Sequence, residues 1–171
     1  RAKVELYEHH LFFVARLLER GADRLESDQL SLFLGTGFVV TFQEVPGDPF
    51  DPVRDRVRRG RPRMRELGAD HLAHALIDAT VDAYFPLIEA CGEQIEALEE
   101  EVMLRPSPAT LGRVHTIRRE LLALRRAVWP LREAINTFLR ERFALISDET
   151  RLYLRDCYDH TIQIIDLLET Y

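Results

Sequence analysis

The stretch "LSLFLGTGFVVTFQEVPGDPFDPVRDRVRRG" (residues 30–60) contains the change from strand to helix that decides the fold. In its first half, two β-favouring runs flank Gly35-Thr36-Gly37, and glycine supplies the positive φ that a tight hairpin turn requires. Three prolines then end the strand pattern. Asp51 is predicted to cap a short helix with Pro52 at its first position, and Gly60 is predicted to end it. We therefore expect a β-hairpin followed by a short helix.

The flanking sequence extends this pattern in both directions. Upstream, "HLFFVARLL" (residues 10–18) is a short apolar run that predicts a buried strand. Downstream, apolar residues at helical spacing predict one long helix over residues 70–104, kinked at Pro86, and a second over residues 109–140, bent or broken at Pro130. Residues 150–171 are predicted to form a third helix. Strands followed by helices predict an α+β fold.

The turn "RPSPAT" (residues 105–110) joins two oppositely charged helices and offers Ser107 or Thr110 as a helix cap. We interpret the charges as an antiparallel hairpin whose faces pair with each other. An acidic tip that attracts cations and a basic helix that binds nucleic acid are the alternatives. The acidic set is Glu93, Glu96, Glu99, Glu100 and Glu101, and the basic set is Arg113, Arg118, Arg119, Arg125 and Arg126.

Composition restricts the class of protein. The 171 residues carry a formal net charge of −6, which argues against nonspecific nucleic-acid binding. The two cysteines lie far apart in sequence and predict no disulfide framework. No apolar run approaches the roughly 20 residues of a membrane-spanning helix. No GxSxG, HExxH, P-loop or GxGxxG motif occurs, so we expect neither an enzyme nor an organic substrate.

The last helix carries a polar stripe that includes candidate metal ligands. Asp156 and His160 are four residues apart, and Asp156 and Asp159 are three apart, so their side chains can converge on one face. Carboxylates suit Mg²⁺ and Ca²⁺, whereas imidazole prefers Co²⁺ or Zn²⁺. The spacing alone favours a solvent-facing stripe on an amphipathic helix over a metal site. A metal site would need further ligands from elsewhere in the chain or from another copy.

Four blocks of sequence resemble the soluble part of the CorA magnesium and cobalt transporters. In chain order they are "FQEVPGDPFDPVRDRVRRG" (42–60), "LIDATVDAYFPLIE" (76–89), "RRAVWPLREAI" (125–135) and "YLRDCYDHTIQIIDLLETY" (153–171). The resemblance implies part of an N-terminal α/β domain of the αβα sandwich type over residues 1–65. A long antiparallel helical hairpin over residues 66–149 and the start of a long stalk helix over residues 150–171 would follow it.

The resemblance also implies a function and its residues. Members of the family are homopentameric channels of the cell membrane, which transport Mg²⁺ and Co²⁺ and are held closed by divalent ions bound between their cytoplasmic domains. Asp156 matches the stalk aspartate of the regulatory metal site, Asp78 matches an acidic residue near a second ion, and His160 matches a nearby stalk histidine. No nucleic acid is expected as a partner.

The same resemblance implies that the sequence is a piece of a longer protein. The stalk helix is expected to continue beyond Tyr171 into two membrane helices with a Gly-Met-Asn motif, and an acidic partner of Asp156 is expected upstream of Arg1. Three alternatives remain: a zinc-transporting relative, a soluble α/β-helical scaffold, and a metalloenzyme that uses Asp78, Asp156 and His160.

Overall fold

A computed structural model describes residues 1–22, 24–60, 67–104 and 107–171. The strands form one antiparallel sheet in the order β1-β2-β3-β4, with bounds Lys3–Leu6, His10–Arg20, Leu25–Gly35 and Phe38–Phe42. The helices of the described ranges are α1 (Asp51–Arg58), α2 (Gly68–Asp82), α3 (Phe85–Leu104), α4 (Pro108–Arg140) and α5 (Asp148–Thr170). Strands precede helices throughout, which confirms the predicted α+β fold.

The sheet is built around the predicted hairpins. β2 and β3 pair along their full lengths, and the pairs Leu11–Leu34 and Phe13–Leu32 place buried side chains on one face. Gly37 has φ of +80°, the left-handed conformation that the predicted turn requires, and Gly35 pairs with Phe38 across it. β1 was not predicted, because four residues with two charged side chains carry little strand signal.

The core lies between the sheet and the helices packed on one of its faces. α4 contacts β1 and β2, and α2 contacts β3 and β4. Phe13 of β2 and Phe138 of α4, both buried, have ring centroids 5.9 Å apart, and Leu131 and Ile135 of α4 belong to the same buried cluster. Tyr84, which is also fully buried, donates a hydrogen bond of 2.5 Å from its hydroxyl to the backbone carbonyl of Arg16. The sheet and the helical segment therefore share one core.

The start of α1 differs from the prediction. The helix begins at Asp51, but Phe50 is the N-cap residue, and the Asp51 carboxylate makes no capping hydrogen bond. Asp51 already lies in the first turn, where its carboxylate accepts a hydrogen bond of 3.0 Å from Arg54. Asp48 Oδ1 instead accepts the backbone N–H of Phe50 at 2.9 Å. The Asp51 cap was therefore wrong.

The prolines behave differently in the two long helical patterns. The pattern over residues 70–104 is two helices, because α2 ends at Asp82 and α3 begins at Phe85. The ring of Pro86 would clash with the carbonyl of Asp82, and in the first turn of a new helix its missing N–H is harmless. The predicted single kinked helix was therefore wrong. α4 runs unbroken through Pro130, where the neighbouring Val128 and Leu131 are fully buried.

The hairpin turn carries the predicted caps. Ser107 Oγ accepts the backbone N–H of Thr110 at 3.3 Å, and Thr110 Oγ1 accepts the backbone N–H of Ser107 at 3.2 Å. Within the described ranges, an ion pair between Arg113 and Glu101 joins the two charged sets near this turn. Arg125 instead stacks over the ring of Trp129 at 4.9 Å. The predicted pairing between the acidic face of α3 and the basic face of α4 is therefore found near the turn.

Candidate metal centre

α2 and α5 pack together and enclose a polar groove of about 510 Å³. All three residues predicted from the sequence line it: Asp78 from α2, and Asp156 and His160 from α5. Arg56 of α1 and His74 of α2 also line the groove. One surface therefore brings together side chains that lie up to about a hundred residues apart in sequence.

Local sequence features fix α5 against α2. Ser147 is the N-cap of α5, and its Oγ accepts the backbone N–H of Thr150 at 3.1 Å. Asp70, in the first turn of α2, accepts hydrogen bonds from the backbone N–H of Ser147 at 2.9 Å and from its hydroxyl at 2.7 Å. Burial opposes ionisation of Asp70, but these hydrogen bonds outweigh it and hold the pKa of the carboxyl below its usual value.

α5 carries the predicted polar stripe on one side and buried residues on the other. Leu154, Cys157 and Ile164 are buried, whereas Asp156 is exposed and His160 is half-buried. The 3.6-residue repeat of the helix produces this arrangement, because residues three and four apart share a face. The polar stripe therefore faces the groove and solvent while the other side packs against the core.

Three potential ligands converge between α2 and α5, two of them from the lining of the groove and the third, Asp82, from the next turn of α2. One donor atom from each of Asp78, Asp82 and His160 lies within 4.8 Å of the others, and His160 Nδ1 is 3.5 Å from an oxygen of Asp82. Sequence reasoning missed Asp82. Its spacing of four residues from Asp78 on a helix was the available signal, since such residues share a face. A small adjustment of these side chains would allow them to bind one cation.

The electrostatics of this set favour a cation. Burial and the neighbouring charge of Asp78 raise the pKa of Asp82, while His160 and Arg56 act in the opposite direction. Two carboxylates one helical turn apart thus resist being charged together. A divalent cation between them would replace this repulsion with attraction.

Asp156 lies in a different position from these three residues. It lines the same groove and is exposed, and among the described residues it does not belong to a compact set of three donor atoms. The structure therefore groups Asp78 with His160 and Asp82, and leaves the Asp156 carboxylate facing outward. Carboxylates suit Mg²⁺, which keeps several of its waters, and imidazole better suits Co²⁺.

Comparison with known proteins establishes the family. A family model described as "CorA-like Mg2+ transporter protein" matches residues 1–171. The chain belongs to this family. It is 46% identical over 173 residues to the "Cobalt/magnesium transport protein CorA" of Thermotoga maritima, an alignment that covers 100% of this chain and 49% of that protein. The chain spans about half the length of the curated relatives that it matches first.

Solved structures of low sequence identity share the fold of this CorA-family chain. The soluble domain of CorA from Methanocaldococcus jannaschii matches with a TM-score of 0.88 at 17% identity, covering 99% of this chain and 68% of that one. The ZntB cytoplasmic domain from Vibrio parahaemolyticus matches with a TM-score of 0.81 at 11% identity, covering 100% and 67%. Within the described ranges, no helix has the combination of length and apolar content that crossing a membrane demands.

Proposed function

We propose that this chain is the regulatory, divalent-cation-sensing segment of a CorA-type Mg²⁺ and Co²⁺ transport protein. The observation that carries the proposal is the convergence of donor atoms from Asp78, Asp82 and His160 between α2 and α5, in a chain of the CorA family. The relative from Thermotoga maritima is named for cobalt and magnesium transport. In this role the chain is part of a transporter and not an enzyme.

The sensing mechanism is electrostatic. At about 4 Å, two like unit charges repel by about 4 kcal/mol at an effective dielectric constant of 20, and by about 1 kcal/mol in water. Bound Mg²⁺ removes this repulsion, and the ion keeps most of its waters because the protein supplies few oxygen ligands. Such a site is expected to bind weakly, which suits an ion held at millimolar concentration in cells.

The exposed position of Asp156 supports a site completed by a second copy of the chain. We infer a homopentamer in which Mg²⁺ between neighbouring subunits favours the closed channel, with the membrane part of the protein outside residues 1–171 and this segment on the cytoplasmic side. Mg²⁺ can favour closure only if it binds the closed arrangement more tightly than the open one. Loss of the ion then restores repulsion at each of five interfaces.

Thermal unfolding of the purified chain tests whether the groove binds Mg²⁺. A ligand at ten times its dissociation constant stabilises the folded state by about 1.4 kcal/mol, which for this size raises Tm by roughly 3–6 °C. We expect millimolar Mg²⁺ to raise the Tm of the wild type and to leave that of Asp78→Asn nearly unchanged.

The matched control is Asp166→Asn, because Asp166 is an exposed aspartate of α5 outside the groove. This variant is expected to keep the full Mg²⁺-dependent rise in Tm. An equal rise in Asp78→Asn and in the wild type would show that the ion binds elsewhere on the chain.

A further inference from the structure

A second set of metal-ligating side chains lies beside the first and shares one residue with it. One donor atom from each of His74, Asp78 and Cys157 lies within 4.8 Å of the others. His74 and Asp78 are four residues apart on α2, and Cys157 reaches them from the buried face of α5. This set therefore spans the same two helices but contains an imidazole, a carboxylate and a thiol.

The set is enclosed and one of its nitrogen atoms lacks a partner. Cys157 is fully buried and His74 is 9% exposed. The Cys157 thiol donates to an oxygen of Asp78 at 3.4 Å. Among the described residues, His74 Nδ1 is buried and finds no hydrogen-bond partner. An unpaired buried nitrogen costs free energy, and a bound metal ion is one way to satisfy it.

We propose that His74, Asp78 and Cys157 form a transition-metal site that takes Zn²⁺ or Co²⁺ in preference to Mg²⁺. Thiolate and imidazole are ligands that Zn²⁺ and Co²⁺ favour, whereas Mg²⁺ prefers oxygen atoms in octahedral geometry. Three protein ligands leave a fourth position for water, and His74 and Asp78 line the groove through which the ion would enter.

Binding of the metal requires the Cys157 thiol to lose its proton. The S–H bond of Cys157 breaks, the sulfur forms a bond to the metal, and the proton passes to water in the groove. Burial, and then the nearby carboxylates of Asp78, Asp82 and Asp156, raise the pKa of this thiol in the free protein. Burial also lowers the pKa of His74, which keeps its ring neutral and able to donate a lone pair.

Sharing of Asp78 couples the two sets. A transition metal held by His74 and Cys157 engages the carboxylate that the Mg²⁺ set also uses, so the two ions are expected to influence each other. The transition-metal site is distinct from the proposed Mg²⁺ sensor, because its selectivity depends on the sulfur of Cys157 and on the ring of His74.

Cobalt absorption of the purified chain tests the proposal. Co²⁺ bound by a thiolate shows a charge-transfer band in the near ultraviolet, and we expect this band to grow with added Co²⁺ and to persist in a large excess of Mg²⁺. Cys157→Ser keeps a hydroxyl that can donate to Asp78 but lacks the sulfur. It should abolish the band and weaken Co²⁺ binding by about tenfold or more.

Cys91→Ser is the matched control, because Cys91 is the other fully buried cysteine and lies near Glu120 instead. It should retain the band. His74→Gln provides a second test if Cys157→Ser does not fold. This variant is expected to weaken Co²⁺ binding by about tenfold and to reduce the band. Absence of the band in the folded wild type, or its persistence in Cys157→Ser, would overturn the proposal. Neither result would affect Mg²⁺ binding by Asp82.

Discussion

At the scale of single residues, the ion preference of each ligand set between α2 and α5 depends on its donor atoms. Asp78 is the central residue, because its carboxylate belongs both to the oxygen-rich set with Asp82 and His160 and to the sulfur-containing set with His74 and Cys157. The Asp78 carboxylate therefore lies between a second carboxylate, a hard ligand, and the Cys157 thiol, a soft ligand. The chemistry of each set, and not its shape alone, decides which ion it prefers.

Asp82 supplies the first prediction. Its pKa is raised in the folded state, so the ionised carboxylate lowers stability as the pH rises through and above the ordinary aspartate pKa of about 3.9. We expect Asp82→Asn to stabilise the metal-free chain at pH 7 by up to about 1 kcal/mol, a modest value because the side chain is exposed. It should also reduce the stabilisation by Mg²⁺.

Urea unfolding at pH 7 and near pH 3.5, with and without Mg²⁺, measures both effects. The stabilising effect of Asp82→Asn should shrink at the lower pH, where the wild-type carboxyl is largely protonated. If Asp82→Asn lowered stability at pH 7 and kept the full response to Mg²⁺, repulsion between Asp78 and Asp82 would not be the relevant force.

At the scale of elements, the packing of α2 against α5 positions the groove. The contact begins where Asp70 of α2 accepts two hydrogen bonds from Ser147, the residue that caps α5. A helix start is otherwise left with unsatisfied N–H groups. One carboxylate thus supports the cap of α5 and holds the first turns of both helices together.

Asp70→Ala is expected to destabilise the chain by about 2 kcal/mol at neutral pH, because it removes the two hydrogen bonds that Ser147 donates to this buried carboxylate, and hydrogen bonds to charged groups are the stronger ones. The folded-state pKa of Asp70 is depressed, so its contribution is fully present above the unfolded value of about 3.9 and is lost as the pH falls through the folded pKa. The difference from wild type in urea unfolding should therefore narrow below about pH 4.

Asp148→Ala is the control for this experiment. Asp148 also lies in the first turn of α5, but its side chain is 92% exposed. Its loss should cost less than about 1 kcal/mol. Equal effects of the two substitutions would indicate that general helix-end electrostatics, and not the link between α2 and α5, accounts for the stability.

An ion pair between an exposed arginine and a buried glutamate joins the end of β2 to α4. The guanidinium of Arg20 donates to both oxygens of Glu120, at 3.3 and 3.1 Å, and the Glu120 side chain is only 5% exposed. Arg20→Ala would leave this carboxylate buried without its partner and is expected to cost about 2 kcal/mol, less than the loss of a fully buried pair because the Arg20 side chain is 41% exposed.

Chemical unfolding of three variants checks this expectation. The double variant Arg20→Met with Glu120→Leu should recover most of the loss, since it removes the buried carboxylate together with its partner. Arg58→Ala, which removes an exposed pair with Asp55, should change stability by less than about 1 kcal/mol. A loss in Arg20→Ala no larger than that in Arg58→Ala would contradict the importance of this pair.

At the scale of the whole molecule, features set by adjacent residues were predicted from the sequence, whereas contacts between distant elements were not. The hairpin at Gly37 and the helix cap at Ser107 depend on a few adjacent residues, and both were predicted. The helix breaks at Pro86 and continues through Pro130, although buried residues flank both prolines, so the local sequence did not distinguish the two cases. Asp82 was missed because its partner His160 comes from another helix.

The prediction of the site shows the same difference between local patterns and contacts of distant elements. The helical repeat placed Asp156 and His160 on one face, but family resemblance was needed to associate them with Asp78. The structure brings all three to one groove. That they bind an ion completed by a second copy of the chain stays a prediction, as does the division into segments 1–65, 66–149 and 150–171.

Inhibition of transport by Mg²⁺ in the full-length protein tests the sensing proposal most directly. Ion flux into vesicles would be measured against internal Mg²⁺ for the wild type, for Asp156→Asn, and for Asp166→Asn as the control outside the groove. We predict that Asp156→Asn requires several-fold more Mg²⁺ for half-inhibition, while the control matches the wild type. Unchanged inhibition in Asp156→Asn would contradict the assignment of this groove as the Mg²⁺ sensor.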